Sequence, residues 1–306
     1  MAPLAGSSTE PAKPNFTAWF VLQGTLAAMH HPDFRDAAND GTLAWYRALS
    51  NAASRTRLAS RIVSSLPYAW QYRIGELVTN PGRLRHFYFR KKEIEKQARA
   101  LLDGGGITQV VLLGAGLDVL SLQLASEYPG VRFIEIDTGE SQAFKTASFA
   151  AGRVVPPGNV EFIDGDLRHP LTGILTKSQH YETVAPTLWI AEGFFMFIPE
   201  DSVVRIFREI RGLSAAGSHV IFTSLSSRKI TSAVGHLIQM LYLHKEKSPF
   251  EWVLPFADFG VFMQKLGYQM VWQMESAALH KSYMQHKFNG NHTIGDNIHI
   301  ARTQNV

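Results

Sequence analysis

The sequence predicts an α/β protein built on an open, doubly wound sheet, and three observations carry that prediction. Short β-rich runs alternate with helical patterns between residues 110 and 225. The runs are apolar almost without interruption, as strands buried on both faces must be. The first of them drops abruptly into Gly114-Ala115-Gly116, the kind of turn at which such sheets bind their ligands.

Taken in order, residues 1–15 are rich in Pro, Ala and Ser and read as a disordered tail rather than a signal peptide or anchor. Residues 16–102 show helical patterning and form an expected cap or lid, with "ASRTRLASRIVSSL" and "RHFYFRKKEIEKQARALL" its clearest helices. The second stops at "DGGG", a strong helix terminator. Residues 103–306 form the expected ligand-binding core. Its strands are "QVVLL" (109–113), "VRFIEID" (131–137), "VEFIDGD" (160–166), "TLWIAEG" (187–193) and "SHVIFTSL" (218–225). Helices are expected over 117–127, 139–151 and 200–213, the last introduced by Pro199. A helical insertion is expected at about 226–257, and "YQMVWQME" with "NIHIART" suits an antiparallel pair closing the sheet edge.

Composition excludes several function classes. The chain has 306 residues and no cysteine, which removes disulfides, thiolate catalysis and cysteine metal sites and suits the cytoplasm. A formal net charge of +4 is mild, and the densest basic stretch, "RLRHFYFRKKEIEK", is diluted by Glu93 and Glu95, so nucleic acid is not an expected partner. The greasiest run, "TLWIAEGFFMFIP", is short and carries Glu192, so no membrane span is expected. No grouping of His and acids has metal-ligand spacing, and no metal is expected.

An open parallel sheet binds its ligand beyond the carboxyl ends of its strands. The residues there are the glycine turn, then Asp137, Asp166 and Glu192. Gly114 and Gly116 let backbone approach a ligand, and the following helix is expected to present unpaired N–H groups. Asp137 lies 23 residues beyond Gly114, a spacing that suits the ribose of an adenosine. A dinucleotide site would want a third glycine where Val119 stands, and Asp118 occupies the place of a pyrophosphate with no cation in the loop to offset it. S-adenosylmethionine carries a sulfonium and an amino group and no phosphate, and so fits carboxylates better than NAD does. Glu192 follows a largely apolar run and needs a partner if buried, with Arg168 one candidate for a purely structural ion pair.

The strings "LLGAGLDVLSLQL", "RFIEID", "GDLR" and "AEGFFMFIP" in this order resemble the leucine carboxyl methyltransferase family, including its bacterial O-methyltransferases of polyketide and other small-molecule pathways. The resemblance covers about residues 84–225. It implies a Rossmann-like class I methyltransferase fold using S-adenosylmethionine. By position, Gly114, Ala115 and Gly116 would border the methionine part, Asp137 the ribose, Asp166 and Leu167 the adenine edge, and Glu192 the cofactor near the reactive centre. Arg90 in "FYFRKKE" would reach the cofactor carboxylate. Helix geometry alone nominates two candidates, since Arg90 and Lys91 flank the stripe of Phe87, Ile94, Ala98 and Leu101 on opposite sides. In the alternative, both snorkel into solvent.

The acceptor is less legible. A carboxylate needs no base, whereas a hydroxyl does, and His30, His31 and His244 are the weak candidates for one. His169 reads as structural. Phe197 stands where family members often carry tyrosine. Thr17-Ala18 resembles the bacterial members, while a basic residue common slightly farther along is missing, so recognition of a protein carboxyl terminus is unsupported. Trp19, Phe194, Phe197 and Trp252 are candidate pocket walls, and together with neighbouring aromatics suggest a small hydrophobic acceptor. The expectation is therefore an S-adenosylmethionine-dependent O-methyltransferase. Its rivals are a non-catalytic cofactor-binding protein of the same fold and an NAD-binding oxidoreductase.

Overall fold

The computed structural model describes residues 15–31, 40–56, 58–78, 82–226, 250–284 and 295–304. The expected tail, most of the expected insertion and His244 lie outside them. Five helices come first: α1 (Phe16–Met29), α2 (Asp40–Thr56), α3 (Leu58–Ser65), α4 (Tyr68–Val78) and α5 (Arg83–Asp103). Then β1 (Gln109–Leu113), α6 (Leu120–Glu127), β2 (Arg132–Asp137), α7 (Gly139–Gly152), β3 (Val160–Asp164) and α8 (Leu171–Leu175) alternate. They are followed by β4 (Thr187–Ala191), α9 (Glu200–Leu213), β5 (His219–Leu225), α10 (Phe259–Lys265), β6 (Tyr268–Met274), α11 (Ser276–Met284) and β7 (Asp296–Thr303).

The seven strands lie in the order β3-β2-β1-β4-β5-β7-β6. The pairings β1–β2, β1–β4, β2–β3 and β4–β5 are parallel, while β7 runs antiparallel to both β5 and β6. The sheet is therefore mostly parallel with an antiparallel carboxyl-terminal edge, as the sequence predicts. Because β7 alone runs backwards, Leu225 at the end of β5 pairs with Asp296 at the start of β7. The beginning of β7 thus joins the rim where the other strands end.

Each strand feeds two cores, since successive side chains point to opposite faces. Val110 and Leu112 join Phe133, Leu188 and Ile190 on one face, packed with α1, α2, α5 and α6. Val111 and Leu113 join Ile134, Ile136 and Trp189 on the other, under α8, α9 and α10. The amino-terminal helices contribute Trp19, Leu22, Leu26 and Leu49 to the first of these cores, so they are built onto the sheet.

Helix α5 positions the basic residues of the site. It starts after Gly82, and Glu76 of α4 accepts the Gly82 and Leu84 N–H groups, supplying the cap that Gly82 lacks. It ends at a glycine run in which Gly105 and Gly106 take positive φ, as the "DGGG" stop predicts. Two sequence boundaries shift. The helix expected from residue 117 begins at Leu120, because Gly116 to Val119 complete the turn, and the third strand stops at Asp164 rather than reaching Asp166.

Candidate functional site

The glycine turn follows from its close contacts. Gly114 has φ +64°, and a β-carbon there would lie 2.7 Å from the Phe194 ring, so both the backbone sign and the space require glycine. Phe194, a candidate pocket wall, thus packs directly on the turn. Gly116 faces Ala18 of α1, which brings the amino-terminal helix over the same place. Ala115 is buried beside them.

Asp137 closes the turn from β2. Its Oδ2 accepts the Gly116 N–H at 2.6 Å, and Oδ1 accepts the Thr138 N–H at 2.7 Å. A carboxylate has about four acceptor positions, so Asp137 can still accept from a ligand hydroxyl.

Asp118 corrects one expectation and sharpens another. Its Oδ1 accepts the N–H groups of Val119 at 2.7 Å and Leu120 at 3.3 Å, so these amides at the start of α6 are capped rather than free. Nor is Asp118 without a cation, since Lys91 of α5 reaches its Oδ2 at 2.9 Å. Burial alone would raise the Asp118 carboxyl, but Lys91 outweighs it and holds the pKa down at about 2. The offsetting charge comes from a helix 27 residues upstream, which inspection of the loop could not reveal.

Both basic candidates on α5 turn inward. Arg90 is 4% exposed. Its Nε and Nη2 donate to Glu192 Oε1 at 3.0 and 2.8 Å, and Nη1 donates to Asp296. Lys91 Nζ reaches the same Glu192, at 3.1 Å from Oε1 and 3.2 Å from Oε2. Burial disfavours charge on Arg90, yet Asp296 and Glu192 more than compensate and raise its pKa. Lys91 is raised likewise, with Asp118 and Glu192 overcoming its burial. Gly193, at φ +63°, keeps space beside this cluster, for a β-carbon there would stand 3.4 Å from Arg90 Nη2.

Glu192 therefore has partners, but not Arg168. Arg168 pairs with Asp166 instead, Nη2 to Oδ2 at 2.5 Å, and is exposed. The hydrogen bonds from Arg168 hold the Asp166 carboxyl down at about 2, chiefly through its side chain. Asp166 stands two residues past the end of β3, and Leu167 beside it is buried in the second core.

Asp296 is the residue that sequence reasoning missed. Oδ2 receives Arg90 Nη1 and lies 3.3 Å from His86 Nε2, while His86 Nδ1 is 3.1 Å from His280 Nε2. Burial would raise the Asp296 carboxyl, but Arg90 and His86 keep it at about 2. An ionised Asp296 can only accept, so His86 Nε2 carries a proton. Burial lowers the His86 pKa, and its hydrogen bond to Asp296 works in the opposite direction.

The acceptor candidates scatter. Trp19 is buried against Phe16, with ring centroids 4.9 Å apart. Trp252 is buried in the second core against Phe195 and Phe259. Phe197 packs on Phe250 at 5.3 Å. His30 contacts the Leu26 carbonyl through Nδ1 at 2.8 Å and stacks on Tyr68, while His31 packs on Tyr72. His169 is exposed beside the Asp166 turn. A cavity of about 30 Å³ adjoins Lys91, lined also by Thr25, Tyr46 and Tyr88, and has room for a water or two rather than an organic acceptor. Among the described residues no His/Asp/Glu group could hold a metal ion, and no helix is long and apolar enough to cross a membrane.

Comparison with known proteins bears on the family and the fold. A Frankia alni protein described as a putative S-adenosyl-L-methionine-dependent methyltransferase is 33% identical over 155 residues, 48% of this chain and 53% of the relative. A Mycobacterium marinum protein of the same description is 32% identical over 178 residues, 54% of this chain and 56% of the relative. The matched stretch thus spans about half the length of these curated relatives. A crystal structure of a putative methyltransferase from Thermobifida fusca has a TM-score of 0.60 at 18% identity, covering 86% of this chain and 95% of that one. The crystal structure of a DUF574 family protein from Streptomyces avermitilis has a TM-score of 0.58 at 14% identity, covering 77% of this chain and 91% of that one. These two show the fold. The family model for leucine carboxyl methyltransferase matches residues 27–211, more than half of the sequence, and the chain belongs to that family.

Proposed function

We propose that this protein is an S-adenosylmethionine-dependent O-methyltransferase that methylates a carboxyl or hydroxyl oxygen of a small hydrophobic metabolite in the cytoplasm. The observation that carries the cofactor reading is the charge arrangement beside the glycine turn. Arg90 and Lys91 meet Asp118, Glu192 and Asp296 there, a formal sum of −1. S-adenosylmethionine carries a sulfonium, an ammonium and a carboxylate, a sum of +1, and complements the cluster. A pyrophosphate would find the first α6 amides taken by Asp118 and a carboxylate in its place, which disfavours a dinucleotide.

The donor set fits the amino-acid end of this cofactor. Of the five N–H groups on Arg90, three serve Glu192 and Asp296, leaving two to receive a carboxylate. Asp137 retains acceptor capacity for ribose hydroxyls. When bound, the cofactor supplies a methyl group made electrophilic by the adjacent sulfonium. The protein's part is to fix that end of the molecule so that an acceptor oxygen meets the methyl in line, and orientation of this kind supplies much of the rate. Family membership and the descriptions of the relatives support methyl transfer. The oxygen acceptor and its apolar character rest on the sequence resemblance and on the aromatic residues near the turn, Phe194 above all.

The test is incubation of the protein with methyl-labelled S-adenosylmethionine and a panel of aromatic and aliphatic acids, phenols and alcohols. Label in a product that mild base releases marks a methyl ester, and label that survives base marks an ether. Saturable cofactor binding without label transfer to any member would favour the non-catalytic reading.

A further inference from the structure

The three carboxylates of the cluster differ in how completely their oxygens are used. Asp118 Oδ1 takes two backbone N–H groups and Oδ2 takes Lys91. Glu192 Oε1 takes Arg90 twice and Lys91, and Oε2 takes Lys91 again. Asp296 concentrates both of its donors, Arg90 Nη1 and His86 Nε2, on Oδ2. Its Oδ1 is buried and has no hydrogen-bond partner among the described residues.

A bare oxygen on an ionised, buried carboxylate is costly, and native proteins seldom leave one without a donor. Asp296 is 4% exposed, so bulk water does not supply it freely. The same carboxyl group grips Arg90, the residue whose remaining N–H groups suit a ligand carboxylate. In an α-amino acid the ammonium and the carboxylate share one carbon. A ligand whose carboxylate sits on Arg90 therefore brings its ammonium to the groups flanking that guanidinium. Glu192 on one flank already has donors on both oxygens, whereas Asp296 on the other has an oxygen with none among the described residues.

We infer that Asp296 is a cofactor-binding residue whose Oδ1 accepts a hydrogen bond from the α-ammonium group of the bound S-adenosyl amino acid. The inference rests on the cofactor reading above and extends it to a strand beyond the matched family segment, which ends at residue 211. It also gives β7 a functional reason to run antiparallel, since only that direction brings its first residue to the rim.

The test is calorimetric titration of the full-length chain with three ligands: S-adenosylhomocysteine, its deaminated analogue, which keeps the carboxylate, and its decarboxylated analogue, which keeps the amine. In the wild type, loss of the amine should weaken binding at least ten-fold. In Asp296→Asn, Arg90 and His86 hold the amide oxygen in the Oδ2 position, so the amide nitrogen, a donor, replaces Oδ1. This variant should bind S-adenosylhomocysteine and the decarboxylated amine at least ten-fold more weakly, and the deaminated acid within two-fold of wild type. Equal losses on all three ligands, or no loss on any, would overturn the inference. If the variant does not fold, the wild-type comparison still decides, because equal affinity for S-adenosylhomocysteine and the deaminated acid contradicts it. Failure of the wild type to bind any of the three would instead remove the cofactor reading, and this inference with it.

Discussion

Lys91 Nζ lies 2.9 Å from Asp118 Oδ2, with side chains 13% and 12% exposed. That pairing explains how an acid directly after a glycine turn can be tolerated, and why α5 is fixed against the amino end of α6. Lys91 also contacts Glu192, so one lysine is shared by two buried carboxylates. Lys91→Met should destabilise the protein by about 3–5 kcal/mol, the usual cost of stripping a buried charge of its partner. Urea unfolding would register it, and a loss below about 1 kcal/mol would mean that solvent reaches the pair.

Asp137 should matter for ligand affinity more than for stability. Asp137→Ala removes an acceptor for ribose hydroxyls, and hydrogen bonds to a charged group contribute about 1.5–3 kcal/mol. The expected loss of S-adenosylhomocysteine affinity is about 10- to 150-fold. Unchanged affinity in a folded variant would show that the ribose lies elsewhere.

Arg90 offers a test of ligand orientation. Arg90→Ala should weaken S-adenosylhomocysteine far more than 5′-methylthioadenosine, which lacks the amino-acid carboxylate. Comparable losses for both would argue against a carboxylate on Arg90. Because the variant leaves Asp296 and Glu192 short of a cation, its folding should be checked by circular dichroism first.

Acid sensitivity should begin well above the carboxylate range. Burial holds the His299 pKa down to about 3, against an ordinary value near 6.5. Between those limits the unfolded chain binds a proton that the folded chain does not, so stability falls as pH drops below about 6.5, by up to ~1.4 kcal/mol per pH unit. His86, also lowered by burial, acts in the same direction. Asp118 and Asp296, both held at about 2, contribute stability above the unfolded value near 3.9 that is lost as pH falls toward 2. Urea unfolding from pH 7 to 4 should show His299→Gln with a shallower slope, by roughly one proton per chain. An unchanged slope would place that proton on another group.

How far the site was legible follows from what each residue depends on. Gly114, Asp137 and Glu192 stand at strand ends, so strand periodicity located them. Arg90 and Lys91 lie on the flanks of one helical stripe, so geometry nominated both, and the fold uses both. Asp296 gave no signal, because its place at the rim depends on β7 inserting antiparallel between β5 and β6. The partners of Asp118 and Glu192 were equally hidden, since Lys91 and Arg90 approach from a helix distant in sequence. The parallel strands and the helices between them were readable for the opposite reason, as apolar periodicity is local. Acceptor recognition stayed obscure because aromatic residues line cores and pockets alike. Trp19 and Trp252 are both deep in packing.

The most direct test is parallel calorimetric titration of the purified protein with S-adenosylmethionine, S-adenosylhomocysteine and NAD. Saturable binding of both sulfur-containing ligands, with no heat from NAD, is the predicted result. Binding of NAD alone would contradict the account, because a pyrophosphate would then have displaced Asp118 from the start of α6.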